Sequence, residues 1–307
     1  MPMLNDYLER QLAAGKSRFY GITVGGGVLL LVFSGWLWWH YSYLNPQTVF
    51  WSAFNNNLVL TGVTKHTTSG DTNTKLDQFD QISLGAHNVV RTVATSTQNG
   101  ANKNIVVTEG VGTPDAGYLR YAKIETSQKT TAGQPLNFKP VIGLWGQQST
   151  ATTTSSAFAD AIFDAFPFAN LSASQRQQVV ASTKSEKVYD IDFTKVTKER
   201  QNGKLYYTYN VALSPDKYVQ LLKQVDGFMG LNQLKNLDPT QYQGTAPVQL
   251  SVKLDAYGHQ LAIVTYVGDA RQEEYSAWGA QIIPDIPSGA ISQTVLQTKL
   301  NGILSGQ

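Results

Sequence analysis

"VQLSVKLD", residues 248–255, alternates without a fault: Val248, Leu250, Val252 and Leu254 against Gln249, Ser251, Lys253 and Asp255. Successive side chains of a strand point to opposite faces, so this octet reads as a strand with one buried face and one wet face. The residues after it extend the strand into a sheet. "AYGH" at 256–259 turns the chain, "QLAIVTYV" at 260–267 runs back, and "GDAR" at 268–271 turns it again into "QEEYSAWGAQIIPDIP" at 272–287. Pro284 and Pro287 end the ladder, because proline has no N–H to give it. The apolar face then needs a cover.

Upstream, "KLYYTYNVAL" at 204–213 sets Leu205, Tyr207, Tyr209, Val211 and Leu213 on one face, and "KVYDIDF" at 187–193 alternates in the same way. Ser214-Pro215 then opens a helix, proline being pre-organised for the first helical position. The N-terminal half carries strand-like segments at 61–68, 79–97, 104–110 and 118–125, separated by "SGDTN", "QNGANKN" and "GTPDAG"; short polar turns between strands predict an antiparallel meander. Between the two strand-rich halves the period changes. In "SSAFADAIFDAF" at 155–166, Phe158, Ala161, Ile162, Ala165 and Phe166 make one apolar helical face. "SASQRQQVVAST" at 172–183 predicts a second helix, with Ser172 or Ser174 as its N-cap. The fold class is therefore α+β, and these helices are the candidates to cover the sheet.

The other strong signal is N-terminal. Phe19 to Trp39 contains no charged residue, and "GVLLLVFSGWLWWHYSY" at 27–43 ends in an aromatic belt. About 20 apolar residues span a bilayer core. Arg10, Lys16 and Arg18 precede the segment, and the next basic residue is Lys65, which places the N-terminus in the cytoplasm. The expected organisation is a cytoplasmic tail at 1–18, a transmembrane signal anchor at 19–43, a juxtamembrane helix and linker at 44–60, an extracytoplasmic domain at 61–290 and a C-terminal tail at 291–307. The chain is expected in the cell membrane as a single-pass protein.

Composition excludes much chemistry. A net charge of +2 over 307 residues gives no electrostatic footprint for nucleic acid, and cysteine is absent. His40, His66, His87 and His259 are scattered and read as solvated rather than metal-binding, with His259 in a turn. Asp190 and Asp192 share one wet strand face. "DTNTKLDQFDQI", starting at Asp71, has Leu76 where a calcium loop needs glycine. "GVGTPDAG" at 110–117 joins two strands and opens no helix, so it is no phosphate loop. No G-x-S-x-G nucleophile context occurs. No catalytic residue, metal or cofactor is expected.

The block "PVQLSVKLDAYGHQLAIVTYV" at 247–267 with "YSAWGAQIIPDIP" at 275–287 resembles the closing strands of the LolA/LppX-like superfamily, and the order of elements over 47–290 is similar. That resemblance implies a curved antiparallel sheet, a half-barrel, wrapped around helices in the cell envelope of a bacterium. It also implies a cavity that holds acyl chains of a lipid or lipid-modified partner. Trp145, Phe158, Ile162, Phe166, Tyr207, Tyr209, Leu250 and Val252 are the inward apolar residues that would line it; the same residues would equally fill a dry core. Many members are soluble carriers or are anchored through a cysteine, whereas this chain has none. Two functions follow: a membrane-anchored lipid-binding domain, or an envelope module with a filled core that senses or binds a protein partner.

Overall fold

The computed structural model describes residues 32, 34–100, 103–149, 157–281 and 285–305. The expected tail at 1–18 and most of the expected anchor at 19–43 lie outside them. Among the described residues no helix is long and apolar enough to cross a membrane. They form two units that divide between Val49 and Phe50. In the first, a π-helical turn spans Trp39–Tyr43, the rings of Trp39 and Tyr43 stack at 4.3 Å, and Trp36, Trp38 and Tyr41 are exposed. Helix α1, Pro46–Asn57, starts with proline, and Asn45 Oδ1 accepts from the Gln47 N–H at 2.9 Å.

The second unit holds one sheet. Its strands are β1 (Gly62–Gly70), β2 (Thr74–Ser83), β3 (Val89–Gln98), β4 (Asn104–Gly112), β5 (Ala116–Thr126), β6 (Trp145–Ser149), β7 (Tyr189–Ile191), β8 (Thr197–Gln201), β9 (Lys204–Leu213), β10 (Val248–Asp255), β11 (Gln260–Tyr266), β12 (Gln272–Ser276) and β13 (Ile291–Ser292). The spatial order is β13-β6-β5-β4-β3-β2-β1-β12-β11-β10-β9-β7, with β8 also on β9. The two predicted meanders are thus joined by β1 against β12, Thr64 opposite Ser276. All pairings are antiparallel except β13 on β6. The sheet is large, curved and unclosed.

Helices α2 (Ala157–Ile162), α3 (Ala173–Ser185), α4 (Pro215–Met229) and α5 (Gln293–Ser305) complete the unit. Ser172 is the N-cap of α3 and closes a capping box with Gln175, which satisfies two otherwise orphaned N–H groups. Gly230, at φ +70°, ends α4 in the left-handed conformation that glycine tolerates. Leu250, Val252 and Leu254 of β10 are buried as their alternation predicts, while Val248 at the strand end stays exposed. Phe50 packs edge-on against Phe166, Tyr189 and Tyr209 at 5.4–6.0 Å, so the end of α1 contributes to this core.

Several elements differ from expectation. The segment 79–97 is two strands, broken at Leu84–Asn88, where Gly85 takes φ +110° and its N–H is received by Asn88 Oδ1 at 3.1 Å. The helix expected over 155–166 ends at Ile162, because Pro167 disfavours helical geometry at Phe166. Strands β6 and β8 had no alternation to announce them. Residues 291–305, expected as a tail, form β13 and α5; Leu296 is wholly buried in a cluster with Phe138 and Val141.

Glycine permits two close approaches to the sheet. A Cβ on Gly112 would stand 2.8 Å from the backbone nitrogen of Phe158 in α2, and one on Gly146 would stand 2.8 Å from a Leu296 methyl of α5. Gly112→Ala is therefore expected to lower unfolding free energy by about 1–3 kcal/mol, measured by urea denaturation. Gly117→Ala, where a Cβ meets nothing within 4 Å, is expected to leave it nearly unchanged.

Candidate functional site

The residues predicted to line a cavity sit as follows. Phe158, Ile162, Tyr209 and Val252 have 0% of their surface exposed, Leu250 has 1%, and Phe166 and Tyr207 have 2%. Phe50 contacts the rings of Phe166 and Tyr209, and Tyr209 contacts Tyr207; none of the seven borders the grooves described below. Trp145 stands apart on β6, half-buried, with the Arg120 guanidinium 4.7 Å from its ring centre.

The space between the sheet, α2 and α5 is lined by polar and apolar groups together. A cleft of about 380 Å3 has a floor of Asp80, Thr92, Thr108, Gly110 and Gly117, with Tyr118 and Leu119 beside them, a wall of Ala157, Asp160 and Ala161 from α2, and Gln78, Gln148 and Gln293 around it. The floor is low at Gly110, which lies opposite Thr92 on β3 and Leu119 on β5. Gln148 and Gln293 also border a second, more open hollow of about 800 Å3, which continues along α5 past Gln297 and Asn301. The two hollows adjoin at these two glutamines.

Beneath the cleft lies a buried ion cluster. Lys65, Asp80 and Glu273 occupy inward-facing strand positions: Lys65 is directly opposite Asp80 on β2 and Tyr275 on β12. Asp164, just beyond α2, closes the cluster. Lys65 Nζ stands 2.9 Å from Asp164 and 3.5 Å from Asp80, and it donates to the Ala161 carbonyl at 3.4 Å. Arg271 donates to both oxygens of Asp164 at 2.7 and 2.9 Å. Tyr266 donates to Asp164 at 2.6 Å, and Tyr275 to Glu273 at 2.5 Å; the Tyr218 hydroxyl donates to the Asp164 carbonyl. Asp80 itself accepts from Thr92 at 2.7 Å and from Gln78 at 2.9 Å. Cleft and cluster thus share residues, and the cluster holds α2 against the sheet.

Charge counting fixes the protonation. Two cations, Lys65 and Arg271, face three carboxyl groups, Asp80, Asp164 and Glu273, so neutrality in this buried place requires one carboxyl to keep its proton. Burial, then repulsion from Asp164, pushes Glu273 up to about 7. Burial would raise Asp164 too, but Lys65 and Arg271 outweigh it and hold Asp164 far below the usual carboxylate range. Burial opposes the charge on Lys65 as well, yet Asp164, Asp80 and Glu273 together raise its pKa. Arg271 stands 2.5 Å from Glu273 Oε1, which receives no directed hydrogen bond.

No family model matches the sequence, and no curated protein matches it. Among solved structures, LprF from Mycobacterium bovis is similar with a TM-score of 0.38 and 11% identity, over 80% of this chain and 97% of that chain. So loose a superposition carries no argument, and the site is read from its own side chains.

The histidines and aspartates considered from sequence fall elsewhere. His259 is buried rather than solvated, at φ +47° in the β10–β11 turn, and its carbonyl accepts from Asn56 at 2.9 Å. His66 stacks on Phe79 at 4.0 Å and lies 3.2 Å from Asp77. Asp192 caps a short 3-10 turn. Among the described residues no group of histidine and acidic side chains is placed to hold a metal ion. The cluster had one legible trace: Lys65 follows Val63, and Asp80 precedes Ile82, at inward positions where alternation demands apolar residues.

Because the folded protein holds a proton on Glu273 that the unfolded chain releases from about pH 4.5, stability from this group is full below that pH. It is lost as pH rises to about 7. Denaturant titrations at a series of pH values are expected to show this decline for the native chain. Glu273→Gln, which cannot ionise, is expected to remain flat over the same window. Lys65→Met, which leaves the buried Asp80 without its cation, is expected to cost about 3–5 kcal/mol in the same measurement.

Proposed function

We propose that this chain is a membrane-tethered, non-catalytic binding module of a bacterial cell envelope, whose core is filled and which recognises its ligand at the polar groove. The observation that carries this reading is the burial of the apolar residues: all of those that would embrace an acyl chain except the half-buried Trp145 expose at most 2% of their surface, while the open space is lined mainly by amide, hydroxyl, carboxylate and small side chains, with Tyr118 and Leu119 among them. An acyl chain gains about 0.8 kcal/mol per methylene only where apolar surface is available to it. A lipid or lipid-modified partner is the other ligand class the sequence suggests, and it would need the aromatic core to open. The absence of catalysis belongs to the proposal. The perturbed carboxyls are engaged with Lys65, Arg271 and tyrosine hydroxyls, an arrangement that supports a structural role for them.

The membrane tether rests on the uncharged run from Phe19 to Trp39 and the basic residues before it. The absence of cysteine makes topology easy to test by single introduced thiols. In intact bacterial cells, Asn301→Cys is expected to react with a membrane-impermeant maleimide, and Asn5→Cys only after permeabilisation. The reverse pattern would sink the extracytoplasmic assignment. For the ligand, the full chain extracted from membranes is expected to give its bare mass by native mass spectrometry. One lipid retained per chain after exhaustive washing would instead favour the acyl-chain reading.

A further inference from the structure

The groove has a chemical character narrow enough to name a ligand class. Along α5 its borders are Gln147, Gln148, Ser292, Gln293, Gln297 and Asn301, with two threonines between them; no charged or large apolar residue borders that reach. A phosphate or an acidic polymer would want cations there, a basic one carboxylates, and a lipid tail apolar surface. Amides and hydroxyls each supply donors and acceptors side by side, the pattern that matches adjacent hydroxyl groups on a sugar ring. In the deeper cleft, Asp160 is exposed on α2 and brings a carboxylate, which accepts from hydroxyls. Asp80 is already paired with Lys65 at 3.5 Å. The glycines at 110 and 117 let a ring approach the sheet, and the space of about 380 Å3 falls within the roughly 300–1,000 Å3 of small-molecule sites. The open 800 Å3 hollow beyond it suits a chain that continues past its first rings.

We propose that the joined groove between α2, β5, β6 and α5 binds a neutral oligosaccharide, its end in the cleft and its length along the amide row of α5. This rests on the reading of the chain as a binding module and deepens it. Specificity comes from paired hydrogen bonds, since a site built to bond a hydroxyl discriminates against an analogue that lacks it.

The test uses the full chain in a detergent without a sugar head group, because a maltoside would compete. Chitotetraose, cellotetraose, maltotetraose and, as a charged comparison, tetragalacturonate are titrated by calorimetry. At least one neutral tetrasaccharide is expected to bind saturably, and more tightly than tetragalacturonate. Gln148→Ala is expected to weaken it about tenfold, and Gly117→Leu, which fills open space in the cleft, to abolish it. Both changes are expected to leave the thermal midpoint in place, and Gln201→Ala on the opposite face to leave binding unchanged. No saturable binding by any neutral probe, preference for the charged one, or binding indifferent to Gln148 and Gly117 would overturn the assignment. Products of cleavage in the mixture would overturn the non-catalytic reading while leaving the site. A lipid adduct by native mass spectrometry would overturn the filled-core reading by a separate measurement.

Discussion

The contact on which the rest of the second unit depends is Lys65 Nζ to Asp164 at 2.9 Å. Lys65 comes from the first strand of the first meander, Asp164 from the segment after α2, and Arg271 enters beside the last strand of the second meander. One cluster therefore ties together three stretches of chain that share no local interaction. Such a cluster costs desolvation, and an apolar replacement of equal volume is often no less stable. What it adds is register. A one-residue slip of β1 on β12 would turn Lys65 to the outer face and take its ammonium away from Asp164, so the buried charges penalise the wrong pairing far more than apolar side chains would.

The same cluster explains why the groove is polar. Asp80 and Gln78 belong to both, and Thr92 spends its hydroxyl proton on Asp80. On the strands next to the ionised groups Thr92, Thr108 and Gly110 continue the face, and Leu119 enters only on β5. Apolar side chains are buried over β9, β10 and β11, where Tyr209, Val252 and Val264 are wholly enclosed, and also at the Val63, Ile82 and Val90 ends of β1, β2 and β3. One continuous sheet thus carries an aromatic core at one end and a hydrated groove at the other.

Alternation made the clearest parts legible. "VQLSVKLD" and "KLYYTYNVAL" folded as read because their period leaves a strand only one way to face, and the Ser214-Pro215 start and the Ser172 cap are local chemistry that distance does not alter. Less was legible wherever a distant partner decided the outcome. Trp145 to Ser149 has no period of its own and becomes a strand because β5 and β13 flank it. Residues 291–305 have weak helical spacing, and Leu296 is buried because Gly146 lets it approach. The candidate site was mostly hidden for the same reason. Lining residues such as Gln148 and Gln293 look like ordinary surface, and the aromatic side chains that drew attention were those that close packing uses up.

The join between β1 and β12 also has a consequence in time. Thr61 and Gly279, whose side chain and carbonyl meet there, are 218 positions apart. During synthesis the first meander can pair its neighbours in turn, yet β1 must keep one edge unpaired until the second meander has been made. Contacts of such long range are slow to form, and an open strand edge invites foreign pairing meanwhile. Lysine at position 65 and the run of threonines and serines from Thr67 to Ser69 keep that waiting edge polar. The residue that later locks the register is thus also a guard against aggregation while the chain is incomplete.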